Sequence, residues 1–321
     1  LIEETRMMKR IMAGMVATLG ISLAGSAVAD EKWFPSKWGP DDELGAANYL
    51  SPDKVLAASR LITTGKTYAL GVTVNRLTPA FPPRRCDIYV VQPNQVGSAN
   101  GLGPTNTTYN DDILNCWIGI GSQIDGLGHI GIGDTYYNGN KWADIAPITG
   151  LKKFSTHNIP PIVTRGVVLD IAGYRGVDML TEGEAINQAD IEGAAAKQGV
   201  EIREGDVVLL HTGWMGILDS DPERFGKAEP GLGMNGARYL VSKGVVAVGA
   251  DTWGVEAVPF EKGEGIFGVH QELLTRNGTY LLENMNTAEL VADKAWEFLF
   301  VLGQPRYEGS VQAMINPVAI R

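Results

Sequence analysis

IVTRGVVLDIAG, residues 162–173, is an apolar run of strand length, rich in β-branched residues and closed by a glycine. It does not alternate between apolar and polar positions, so a strand made from it must be covered on both faces, as in the middle of an α/β sheet. Outward from it the same grammar repeats. NQADIEGAAAKQG (187–199) carries the Asn/Asp start and Gly stop of a helix, and GDVVLLHTGW (205–214) is again an apolar strand. GMNGARYLVSKG (233–244) reads as a helix and VVAVGAD (245–251) as a strand. GVHQELLTRNG (268–278) reads as a helix closed by Gly278, and TYLLENM (279–285) as a strand. Alternating strands and helices predict a mixed α/β fold around a central sheet or barrel. Nearer the N-terminus, SPDKVLAASRLI (51–62) has a Ser cap and a Pro at the first helical position. TYALGVTV (67–74) and DIYVV (87–91) read as strands, and Gln92–Asp112, rich in Gly, Asn and Thr, as a long surface loop. No repeat or linker interrupts the 321 residues, so one domain over 30–321 is expected.

The apolar share of 44% and charged share of 20% are those of an ordinary globular chain. A net charge of -10 and a pI near 5.0 argue against a nucleic-acid partner, which needs a basic surface, and favour a small-molecule substrate. Residues 1–29 read as upstream sequence and a signal peptide: Lys9 and Arg10 precede IMAGMVATLGISLAGSAVA, which ends in the small-x-small pattern Ala27-Val28-Ala29. A mature chain from near Asp30, without a membrane span and periplasmic or secreted, is expected. Cys86 and Cys116 are free to pair in such a compartment. Read from the sequence alone, they are two separate buried thiols.

The densest chemistry lies in WIGIGSQIDGLGHIGIGDTYYNG (117–139), with seven glycines around Gln123, Asp125 and His129. In an extended SQID, Gln123 and Asp125 share a face, because strand side chains alternate. Gly126 and Gly128 let the backbone curl so that His129 reaches the same point. Oxygen donors with an imidazole suit zinc or manganese. The plainer alternative is a turn in which Asp125 caps an amide and His129 lies at the surface. His270, near the start of a helix, and Glu283, on the next strand, can meet at one sheet end, where open α/β folds bind ligands. His157 reads as a loop residue, His211 as a satisfied core or near-pocket histidine, and Asp251 as a strand-end residue. Trp38, Trp117, Trp214 and Trp253 read as core or loop anchors able to wall a pocket. The sequence has no Gly-x-Ser-x-Gly elbow, no P-loop, no His-Glu-x-x-His and no Gly-x-Gly-x-x-Gly opening a Rossmann unit.

Residues 119–129, GIGSQIDGLGH, resemble the motif His-x-Gly-Thr-His-x-Asp-x-Pro-x-His of the cyclase-like metal-dependent hydrolases, whose members include bacterial kynurenine formamidase, isatin hydrolase and trans-dienelactone hydrolase. Gly121, Asp125 and His129 match and Ser122 is a like residue; Gly119, Gln123 and Leu127 depart from the pattern. Four later blocks, IPPIVTRGVVLDIAGYRG, REGDVVLLHTGW, VVAVGADTWGVE and VHQELLTRNGTYLLENM, follow in the family's order. The resemblance implies a swivelling β/β/α domain with a curved, barrel-like sheet, in dimers or tetramers. It also implies a recomposed site: Gln123, Asp125 and His270 as ligands of one zinc (alternatively manganese), His129 as fourth ligand or base, and Glu283 as a proton carrier. Hydrolysis of a small cyclic ester is the implied activity, with the glutamine and leader-like start most similar to the trans-dienelactone branch. An arylformamidase or cyclic-amide hydrolase is the alternative within the family. Loss of the two histidines leaves a non-catalytic periplasmic binder as the alternative outside it.

Overall fold

The structure, a computed structural model, describes residues 32–92 and 101–321, and the features below belong to the unit Trp33–Arg321. The expected signal peptide, and part of the expected 92–112 loop, lie outside the described residues. Among the described residues thirteen strands follow one another: β1 (Thr67–Ala69), β2 (Cys86–Val91), β3 (Asp111–Cys116), β4 (Gln123–Asp125), β5 (Ile162–Asp170), β6 (Ala185–Ile186), β7 (Val207–His211), β8 (Gly231–Leu232), β9 (Ala247–Ala250), β10 (Tyr280–Glu283), β11 (Glu297–Leu302), β12 (Gln312–Met314) and β13 (Val318–Ile320). Nine of them form one sheet in the order β1-β13-β11-β5-β7-β9-β10-β4-β12. It curls strongly into half a barrel, the α/β single-domain architecture expected above.

At its centre β5, β7, β9 and β10 run parallel, while the neighbours on either side, β11 and β4, run antiparallel to them. The parallel strands are buried throughout or nearly so, which is why their sequences do not alternate. Helices α1 (Pro52–Ser59), α2 (Ile171–Arg175), α3 (Gln188–Gln198) and α4 (Met234–Ser242) surround the sheet; α1 packs on β5 and β11, and α3 packs on β5 and against α4. The caps are those read in the sequence. The Ser51 side chain accepts from the Lys54 amide, Asn187 and Asp190 form a capping box, and Gly199 closes α3 at φ 72°. Arg165, inside the deciding strand, is buried yet paired: its fork donates to both Asp206 oxygens at 2.9 and 2.6 Å and to Glu297, tying β5 to its two neighbours.

Several expectations need correction. The strand foreseen over 67–74 stops at Ala69, and the segment 92–112 runs into β3, which pairs with β2 as a two-stranded ribbon. Cys86 and Cys116 are not separate thiols; as register partners across that ribbon they form a disulfide. The helix foreseen over 268–278, α5, starts as one α turn (Gly268–His270) and continues in π geometry (Gln271–Arg276). Such widened turns recur where a helix must aim a functional side chain.

Candidate metal centre

The strand β4 lies between β10 and β12, and that placement builds the site. Its register sets Gln123 opposite Glu283, while on the other side Gln312 lies opposite Asp125. Cross-strand partners project to the same face. Gln123 Nε2 therefore donates to Glu283 Oε2, and Gln312 Nε2 donates to Asp125 Oδ1 at 2.7 Å. The other oxygens of this group, Asp125 Oδ2 and Gln123 Oε1, are buried with no hydrogen-bond partner. Leaving a carboxylate oxygen in that state costs a folded chain several kcal/mol unless a cation or ligand takes it.

His270 faces the same point from α5. Its Nε2 lies 3.9 Å from Asp125 Oδ2 and 3.4 Å from Glu283 Oε1, and its Nδ1 meets Glu256 Oε1 at 2.5 Å. Glu256 is itself held by the Val269 amide. A carboxylate on one imidazole nitrogen fixes the ring and turns the other nitrogen toward a metal, the usual second shell of a histidine ligand. Asp125, His270 and Glu283 are all buried, and their donor atoms lie within 4.8 Å of one another. With Gln123 Oε1 the set offers three oxygens and one nitrogen, which fits a divalent zinc or manganese ion.

The turn after β4, closed by the His129 amide on the Gly126 carbonyl at 3.0 Å, brings His129 Nε2 to 3.8 Å from Asp125 Oδ2. A side chain at position 126 would collide with the Val311 carbonyl at 2.7 Å, so the glycine is what lets this turn lie flat on the sheet. Two hydrogen bonds from α5 hold the next residues: Thr275 Oγ1 donates to the Ile130 carbonyl at 2.8 Å, and Gln271 Nε2 to that of Gly131 at 3.1 Å.

The charges respond to this crowding. Burial and, to a lesser degree, the His270 and Arg84 charges lower the His129 pKa, against the pull of Asp125, so the ring is neutral at neutral pH. Burial also works to lower the His270 pKa, but the hydrogen bonds to Glu256 and Glu283 outweigh it and push it up to about 10. Glu283 is pushed up to about 7, first by burial and then by the Asp125 carboxylate, against the pull of His270 and Arg84. Neighbouring Glu229 is raised well above the usual carboxylate range, chiefly by burial, although its oxygens accept from the Trp253 and Gly254 amides.

All five residues singled out in the sequence, Gln123, Asp125, His129, His270 and Glu283, thus converge. Glu283, read from the sequence as a proton carrier, lies with Asp125 and His270 in the cluster whose spacing could hold a metal ion. Three partners were not foreseen: Glu256, Gln312 and Arg84, whose Nη1 donates to the Gly119 carbonyl at 2.9 Å. Glu256 lies inside a block that follows the family order; Gln312 and Arg84 carry no local signature. The other candidates have structural employment. Asp251 takes the Thr212 and Gly213 amides, His211 Nδ1 meets Thr287 Oγ1 at 2.8 Å, and His157 Nδ1 meets Ser155 Oγ at 2.7 Å. Trp214 is core and Trp117 is exposed.

A family model described as "Putative cyclase" matches residues 68–257. Among solved structures, a novel cyclase is 31% identical, with a TM-score of 0.81 over 89% of this chain and 98% of that one. Isatin hydrolase A from Ralstonia solanacearum is 18% identical, with a TM-score of 0.60 over 85% of this chain and 98% of that one. A predicted metal-dependent hydrolase from Bacillus stearothermophilus is 15% identical, with a TM-score of 0.52 over 80% and 98% respectively. The last two share the fold. No curated protein matches the chain.

Proposed function

We propose, from the premise that this chain belongs to the cyclase family, that it is a metal-dependent hydrolase opening a small cyclic ester of the dienelactone type. The observation that carries the reading is the buried, unpartnered Asp125 Oδ2, facing His270 Nε2 and lying 3.8 Å from His129. Gln123, Asp125, His270 and Glu283 would hold the ion. A divalent ion held there supplies Lewis acidity and lowers the pKa of a water from 15.7 to about 7.

The chain's own residues do the rest. Neutral His129 accepts the proton of the attacking water as its oxygen bonds to the carbonyl carbon. When the ring C–O bond breaks, the same imidazolium returns the proton to the leaving oxygen, so the product is the open hydroxy acid or its keto tautomer. Such proton transfer is commonly worth about 10²–10⁴-fold. Glu256 acts through His270, holding its tautomer, and Gln312 through Asp125. A formamide or cyclic amide is opened by the same sequence with nitrogen leaving. The disulfide and the leader-like start support a periplasmic or secreted setting.

Elemental analysis of the purified chain beside Asp125→Ala and His129→Ala, followed by turnover of a lactone and an aryl formamide, tests the reading. Expected are about one zinc or manganese per chain in the wild type and in His129→Ala, little in Asp125→Ala, and lactone turnover in the wild type alone. A wild type that stays metal-free after incubation with both ions would leave the binding-protein reading in its place.

A further inference from the structure

The departure of the motif at position 119 is filled by something specific. A Cβ built on Gly119 would lie 2.6 Å from Arg84 Nη1 and 2.8 Å from Gln312 Oε1. The glycine therefore leaves room for a guanidinium beside Asp125's own partner, Gln312. Arg84 is half-buried, and among the described residues its guanidinium donates once, to the Gly119 carbonyl, using one of five N–H groups. Among the described residues it pairs with no carboxylate, whereas Arg165, Arg175 and Arg224 are all paired. Its charge reaches both His129 and Glu283, lowering the pKa of each.

The segment that delivers Arg84 also delivers an aromatic face. Phe81 stands 6.0 Å from Trp253 and 6.3 Å from Phe267, and Phe267 lies 5.0 Å edge-on to His270. The Trp253 indole N–H is buried without a partner. The same segment thus brings to the site both an apolar aromatic surface and a cation without a carboxylate partner among the described residues. The buried carboxylates would repel an anionic substrate, and a divalent ion with Arg84 offsets the charges of Asp125, Glu283 and Glu256.

We propose that Arg84 grips a carboxylate carried by the substrate and so makes the site prefer anionic over neutral ligands. The word substrate rests on the hydrolase reading; the anion grip does not, and the test separates them. The zinc-loaded wild type, Arg84→Gln and Arg84→Lys are titrated calorimetrically with benzoate and with its neutral counterpart benzamide, and zinc content is measured for each. A charge-assisted pair predicts that the wild type binds benzoate about 10–100-fold more tightly than benzamide. Arg84→Gln should lose the preference and Arg84→Lys keep part of it, all with the same zinc content. A preference that survives in Arg84→Gln belongs to the zinc and overturns the proposal, as does a wild type that binds benzoate no better than benzamide. If the preference follows Arg84 while no lactone or formamide is turned over, the anion site stands and the hydrolase reading falls.

Discussion

His270 and Glu283 hold protons more tightly in the folded chain than in the unfolded one, and this fixes how the metal-free protein answers to pH. For Glu283 the stabilisation is complete below 4.5 and fades as pH rises toward about 7. For His270 it is complete below 6.5 and fades as pH rises toward about 10. A divalent ion competes with those protons, so its binding strengthens over the same span. The rise in melting temperature on adding zinc should therefore be larger at about pH 8 than at about pH 6. Equal shifts at the two pH values would show that these side chains do not carry the ion. At this scale the sequence was legible where a residue type is chemically scarce. With four histidines in the chain, His129 and His270 stand out, and Asp125 follows from their company. Gln312 and Arg84 were not legible, because a lone glutamine or arginine is ordinary until β12 and the Pro-rich segment before β2 place it.

The π-wound half of α5 shows what an element contributes beyond its own side chains. By donating from Thr275 to the Ile130 carbonyl and from Gln271 to that of Gly131, it fastens the turn carrying His129 to the helix carrying His270. Thr275 is fully buried. Thr275→Val keeps the shape and removes the donor, leaving a buried carbonyl unpaired at a cost of about 1–3 kcal/mol. The expected outcome is a lower melting temperature and reduced turnover with unchanged metal content, read by calorimetry, assay and elemental analysis. Loss of metal would instead mean that His270 had moved. Elements were legible wherever period and caps agreed, as in α1, α3 and the parallel strands. The switch to π geometry was not, since QELLTRNG has the composition of any helix and only packing against residues 130–131 distinguishes it. Of the ribbon, β2 was read as a strand and β3 was not, because Asp111 and Asp112 end a stretch of sequence rich in Gly, Asn and Thr, which reads as loop.

Across the whole molecule, the sheet is closed off by burial on its parallel strands but the β2–β3 ribbon is not. Ile88, Val90 and Leu114 line one face of it at 47%, 67% and 56% exposure. A two-stranded ribbon is marginal alone, and a row of exposed aliphatic side chains calls for a cover. The expected cover is a second copy of the chain, in line with the dimers or tetramers that the family resemblance implies. Light scattering should give at least twice the chain mass, and Val90→Lys with Leu114→Lys should shift it toward a single chain. A monomeric wild type would count against this. No helix among the described residues is long and apolar enough to cross a membrane.

The Cys86–Cys116 bond stands two positions after Arg84 and three before Gly119, so it clasps together the two segments whose meeting places the guanidinium. The donors on β4, β10 and α5 lie outside that clasp. Two batches of one polypeptide, one matured where thiols oxidise and one where they stay reduced, would then carry the same ion yet differ in their taste for charged ligands. The compartment in which the chain is made would become part of its selectivity.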